Sequence, residues 1–138
     1  MQSKKVLIIG GGFGGIISAR ELAKKNPSLE IKLVSNKSYF EYYPALYRIV
    51  TGASPIEVCV PLEEILPKGV EIDIDKIVDI NLTNKTATSE SGSVYKYDIL
   101  IMALGSETTY FNLPGIEDFS LGFKSINEAL RLKTHIAN

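Results

Sequence analysis

Gly10, Gly12 and Gly15 fall at the spacing G-x-G-x-x-G, inside a six-residue run that holds five glycines. Residues of this type at this spacing can hold a pyrophosphate. The first glycine lets the chain turn sharply out of a strand. The second removes a side chain, so that backbone approaches the phosphates. The third lets helix and strand pack closely. The free N–H groups and positive dipole end of a following helix then face the negative charge.

Such chemistry needs a strand before the glycines and a helix after them. Val6-Leu7-Ile8-Ile9 is a short, wholly apolar run, which reads as a strand buried on both faces of a parallel sheet. Beyond the turn, Ile16 to Lys25 reads as a helix. Ile16, Ala19 and Ala23 share a face with Leu22 beside them, and Lys24 and Lys25 suit its C-terminal dipole. The alternative is a glycine turn with no ligand. The strand and helix on either side favour dinucleotide binding.

Composition excludes several other classes. The 138 residues fit one domain, and 45% hydrophobic residues suffice for a core. Fifteen basic and sixteen acidic residues nearly cancel, so no nucleic-acid surface is indicated. No apolar stretch nears the roughly 20 residues that span a bilayer. The basic start, Lys4-Lys5, precedes too short an apolar run for a signal peptide. Cys59 is the one cysteine, which excludes an internal disulfide and a C-x-x-C pair, and it reads as a half-buried thiol of a cytosolic chain. His135 is the one histidine and reads as a surface or packing residue, so no metal site can be assembled.

Asn26-Pro27-Ser28 ends the helix, and Ile31-Lys32-Leu33-Val34 is a second strand, completing a βαβ unit. The end of that strand is where a dinucleotide-binding fold places an acid against a ribose. Here it carries Ser35, Asn36 and Lys37. Ser35 or Asn36 can bond a ribose hydroxyl, less strongly than a carboxylate. Lys37 reads as a solvated loop lysine, with a 2′-phosphate partner as the alternative.

The aromatic stretch Tyr39 to Val50 has no clean period. It reads as a loop covering the sheet, as a wall of the cofactor site, or as both. Thr51 to Pro55 is a turn, and Pro61 to Leu66 a short helix with proline in its first turn. Val70–Ile74, Ile77–Ile80, Thr86–Ser89 and Val94–Tyr97 read as a meander of short antiparallel strands. Asp98 to Leu104 is apolar enough for another central parallel strand. Ser125-Ile126-Asn127-Glu128 is a capping box that opens a terminal helix.

The stretches VLIIGGGFGG (6–15), YFEYYPALYRIVTG (39–52), YDILIMALGS (97–106) and LPGIEDFSLGFKSINEALRLK (113–133) resemble the pyridine nucleotide-disulfide oxidoreductase superfamily, most closely its type II NADH dehydrogenases. The resemblance covers nearly the whole chain. It implies an α/β fold, a Rossmann-like parallel sheet with a β-meander crossover. It implies FAD, held at the pyrophosphate by Gly10, Gly12 and Gly15, with Gly11, Phe13 and Gly14 completing the turn. Ser35 and Asn36 would face the adenosine ribose, and the backbone of Ile77 the adenine. Ala103-Leu104-Gly105 would close over the flavin site, with Leu104 replacing a threonine and so removing its hydroxyl.

The resemblance further implies that residues 1–138 are the N-terminal, FAD-binding part of a longer chain and inactive alone. NADH would bind a domain outside them. The whole protein would pass a hydride from NADH to FAD and electrons to a quinone, in the cytoplasm or peripheral to the inner face of the cell membrane through a C-terminal region. A sulfide:quinone oxidoreductase-like flavoprotein is the alternative within the class, although Cys59 alone cannot form such an enzyme's sulfur bridge. A non-catalytic dinucleotide-binding module is the alternative outside it.

Overall fold

A computed structural model describes residues 3–137. In chain order the elements are β1 (Lys5–Ile9), α1 (Phe13–Lys25), β2 (Glu30–Ser35), β3 (Tyr39–Glu41), α2 (Leu46–Val50), β4 (Cys59–Pro61), α3 (Leu62–Ile65), β5 (Val70–Ile74), β6 (Ile77–Asn81), β7 (Thr86–Ser89), β8 (Val94–Lys96), β9 (Ile99–Met102), α4 (Ile116–Phe119) and α5 (Ile126–Ala137). Short 3₁₀ turns cover Tyr43–Ala45 and Pro55–Val58. The chain divides into two compact units. One comprises the residues up to Phe40 and Pro61–Gly105, and the other comprises Glu41–Val60 and the residues from Ser106.

The first unit is built on a parallel sheet of order β5-β2-β1-β9. Side chains alternate across a strand, so β1 feeds two cores. Val6 and Ile8 join Ile16 and Ala19 of α1, Ile31 and Leu33 of β2, and Phe40, Leu62 and Leu66. Leu7 and Ile9 join Val34 on the other face, packed against Ala87, Tyr95 and Tyr97. That second core is the underside of the antiparallel meander β6-β7-β8. Ile8 and Leu33 are fully buried, and burial of each contributes about 2 kcal/mol. Helix α1 ends where Asn26 donates its N–H to the Leu22 carbonyl, immediately before Pro27.

Three expectations need correction. Helix α1 begins at Phe13, three residues earlier than its apolar face suggests, because the last two glycines are already helical. Val70–Ile74 is not part of the meander. It pairs in parallel with β2, Ile31 opposite Val70 through Ser35 opposite Ile74. Its alternation comes from standing at the edge of the sheet, where only part of each face is covered. Strand β9 is likewise an edge rather than central, paired with β1 from Val6 opposite Ile99 to Ile9 opposite Met102.

The Tyr39–Val50 stretch resolves into β3, a 3₁₀ turn and α2, and from Glu41 onward it belongs to the second unit. Leu46 and Ile49 of α2 and Val58 are buried, as are Ile126 and Ala129 of α5, which packs on α2. The Ser125 hydroxyl caps α5 by accepting the Glu128 N–H at 3.2 Å. The Glu128 carboxylate reaches back to the Lys124 N–H at 2.5 Å. The short helix α4, after Gly115 with its φ of 81°, has no counterpart in the sequence pattern.

Candidate functional site

The glycine turn sits at the C-terminal end of the parallel sheet, where β1 passes into α1. Gly10 donates its N–H to the Val34 carbonyl at 2.8 Å, and Ala103 donates to the Ile9 carbonyl at 2.8 Å. The turn is thus tied to β2 on one side and to the segment after β9 on the other. Ser35 and Ala103–Leu104–Gly105 are brought to the same C-terminal end of the sheet.

The glycines of the turn are glycine for different reasons. Gly10 has a φ of 111°, and a Cβ there would lie 2.2 Å from the Ala103 carbonyl oxygen. A Cβ on Gly15 would lie 1.8 Å from the Gly10 carbonyl oxygen. Both positions need glycine for the fold itself. Gly11 faces Ser35, whose Oγ a Cβ would meet at 2.7 Å.

Gly12 is different. Its φ of −86° and ψ of −170° suit any residue, and a Cβ there would meet no atom within 4 Å beyond its own neighbours, among the described residues. Neither conformation nor packing asks for a glycine. Gly14 is similar, with only an ordinary 3.5 Å contact to the Ala103 Cβ. Gly12 is also the N-cap of α1, where it supplies no side-chain hydrogen bond, and the first turn of α1 carries no acidic residue. A helix leaves its first N–H groups without helical acceptors. The helix start, with no side-chain cap and no acidic residue in its first turn, therefore offers backbone donors and dipole to an anion. Phe13, half-exposed, stands edge-on to Phe40 with ring centroids 4.7 Å apart at 83°, which fixes the first helical residue against β3.

At the end of β2, Ser35 is buried and its Oγ accepts the Lys37 N–H at 3.3 Å. Asn36 beside it is exposed. Lys37 Nζ lies 5.9 Å from the centre of the Tyr39 ring, so its charge already has a partner within its own segment. Ile77 is half-buried at the start of β6, and the preceding Asp75 N–H is donated to the Ser35 carbonyl at 2.9 Å. The Asp75 carboxylate accepts the Ser91 hydroxyl and the Lys76 N–H, and donation from the Ser89 and Ser91 hydroxyls holds its pKa below the ordinary 3.8. The sequence pattern does not single out this polar cluster, since it places Ser89 at the end of a strand and gives Ser91 no role. Leu104 is exposed and Gly105 has a φ of 77°.

The geometry supplies binding surface rather than acid–base groups. Among the described residues no group of three His, Cys, Asp or Glu could hold a metal, and no helix is long and apolar enough to cross a membrane. Cys59 is a half-buried thiol in β4 that forms no disulfide. His135 is exposed on α5.

The family model for pyridine nucleotide-disulphide oxidoreductases matches residues 4–138. The chain is 35% identical to the type II NADH:quinone oxidoreductase Ndh of Mycobacterium tuberculosis, over 96% of its own length and 29% of the relative's. It is also 35% identical to the sulfide-quinone reductase of Aquifex aeolicus, over 94% of its own length and 30% of the relative's. A crystal structure of the Aquifex aeolicus sulfide:quinone oxidoreductase superposes with a TM-score of 0.88 at 29% identity, covering 98% of this chain and 32% of that one. NDH2 of Plasmodium falciparum in complex with NADH superposes at 0.78 over 95% of this chain and 28% of that one, and at 22% identity it supports the fold alone. The chain spans about 30% of the length of these two sequence relatives.

Proposed function

The chain belongs to the pyridine nucleotide-disulphide oxidoreductase family, and we propose that it is the FAD-holding part of a quinone reductase that takes its electrons from NADH. The observation that carries this reading is Gly12, a glycine that the fold does not require, placed at the uncapped start of α1. A side chain there would occupy the space that a pyrophosphate needs.

Each residue has a role in that reading. The backbone of Gly10, Gly11, Gly12, Phe13, Gly14 and Gly15 holds the pyrophosphate. Ser35 supports Gly11 from below, which leaves the exposed Asn36 as the freer group for a ribose hydroxyl. The backbone of Ile77 borders the adenine. Ala103 and Gly105 border the flavin side of the turn, and Leu104 offers an apolar surface there in place of a hydroxyl. When bound, the flavin supplies hydride acceptance and electron transfer, and the protein supplies orientation and electrostatics. NADH, the quinone and any membrane-surface contact are assigned to the part of the relatives' length that this chain does not match, as is placement at the inner face of the cell membrane.

Equal identity to a sulfide-quinone reductase supports a second reading, in which sulfide is the electron source. Cys59 is the one thiol here that such chemistry could use. A titration of the 138-residue chain with FAD, followed by flavin absorbance and fluorescence, tests the cofactor assignment. Saturable binding supports it, and no binding at high FAD by the full-length protein contradicts it. Reduction of a soluble quinone by the full-length protein, with NADH or with sulfide as donor, then separates the two readings.

A further inference from the structure

Strand β5 delivers the chain to Asp75, and from there Lys76 and Ile77 cross into the meander. This crossing is tied down at every residue. The Asp75 N–H continues the parallel ladder to the Ser35 carbonyl at 2.9 Å. The Lys76 carbonyl accepts the Glu90 N–H at 2.8 Å, and the Lys76 ammonium stands 3.4 Å from the Glu90 carboxylate. Ile77 pairs with Ser89, but the ladder shifts register between Ile77 and Asp79. Backbone pairing is therefore irregular next to Ile77, and side chains supply the missing constraint.

That constraint is a chain of hydroxyls. Ser91 donates to the Asp75 carboxylate and lies 3.1 Å from both the Ser89 and Ser93 hydroxyls. Ser89 is buried, and its Oγ accepts the Ser93 N–H at 3.1 Å. The Lys76 N–H is donated to the same Asp75 carboxylate at 2.7 Å. One carboxylate thus clamps the β5–β6 crossing to the β7–β8 turn, fourteen to eighteen residues further along the chain.

We propose that Asp75 and Ser91 are positioning residues for the adenosine end of the dinucleotide. They act through the backbone of Ile77 and the carbonyl of Ser35, and touch no ligand themselves. The proposal rests on the FAD reading above. It explains why a turn on the far layer of the fold invests three serines in a strand crossing.

The test uses ADP and FAD, titrated calorimetrically into the full-length protein and into its Asp75→Asn, Ser91→Ala and Ser91→Thr variants. Loss of one such bond weakens binding about fivefold. We expect Ser91→Ala and Asp75→Asn to bind ADP and FAD about fivefold more weakly at a temperature where each variant remains folded. Ser91→Thr, which keeps the hydroxyl, restores binding to within about twofold. Full binding by Ser91→Ala overturns the positioning role and leaves the FAD reading intact. Weakening in Ser91→Thr equal to that in Ser91→Ala also overturns it, because the hydroxyl would then not be what acts. An unmodified chain that binds neither ADP nor FAD overturns both.

Discussion

The α-carbon of Gly15 rests against the carbonyl oxygen of Gly10, so closely that a methyl on Gly15 would stand 1.8 Å from that oxygen. The first and last glycines of the turn are held back to back, and helix α1 can approach β1 only because neither has a side chain. Gly15→Ala is expected to destabilise the first unit by about 3 kcal/mol, since the clash is with backbone and cannot be relieved by a rotamer change. Gly10→Ala should do no better, because its φ of 111° adds strain to the clash with Ala103. Urea unfolding measures both. Midpoints equal to the parent would refute this packing.

The Phe13–Phe40 edge contact gives a coupling prediction. Phe40 is buried in the α1 core, and its replacement by alanine should cost about 3 kcal/mol. Phe13 is half-exposed, and alanine there should cost about 1 kcal/mol. The double variant should lose less than the sum by about 1 kcal/mol, the energy of the ring pair. Strict additivity would show that the rings do not interact.

Tyr95 gives a pH prediction. Burial, then the hydrogen bond it donates to Asp73 at 2.9 Å, raise its phenol above the ordinary 10.0. The folded state therefore favours the neutral phenol, as does the negative charge of Asp73 beside it. Lys32, 5.5 Å from the ring centre and paired with Glu71, is the other charged group facing it. Its contribution to stability is complete below pH 10 and is lost as pH rises through the raised value. Tyr95→Phe should cost about 1 kcal/mol at neutral pH and flatten the alkaline loss of stability. An unchanged alkaline slope would contradict the assignment.

In the second unit, Ser125→Ala removes the cap of α5 and should cost about 1 kcal/mol. Hydrogen exchange at the first turn of α5 reads this locally. Protection there equal to the parent's would refute the cap.

What was legible in the sequence was local. Val6 to Ile9, the glycine spacing and the Ile16–Ala19 face lie within one supersecondary unit, so a pattern read along the chain finds them. The Ser125–Glu128 cap is local for the same reason. What was not legible depends on partners far away. Val70–Ile74 alternates as a meander strand would, and only its pairing with Ile31–Ser35, some 39 residues earlier, makes it part of the parallel sheet. The Asp75–Ser91 bond joins two strand connections sixteen residues apart, which no pattern along the chain relates. The start of α1 at Phe13 was missed because glycine is a poor helix former, and its low propensity was overridden by packing of Gly15 on Gly10. At Gly12 the spacing predicts a phosphate contact, and a Cβ there would meet no described atom within 4 Å.

In the proposed FAD reading, Gly12 serves a ligand and not the fold. The most direct measurement is a paired one on Gly12→Val: a thermal unfolding curve without ligand, and an FAD titration followed by flavin fluorescence. The account predicts an unfolding midpoint close to the parent's and FAD affinity at least roughly tenfold weaker, a loss of about 1.4 kcal/mol or more. A variant that binds FAD as tightly as the parent would contradict the account. So would one that loses FAD only because it no longer folds, since Gly12 would then serve the fold as Gly10 and Gly15 do.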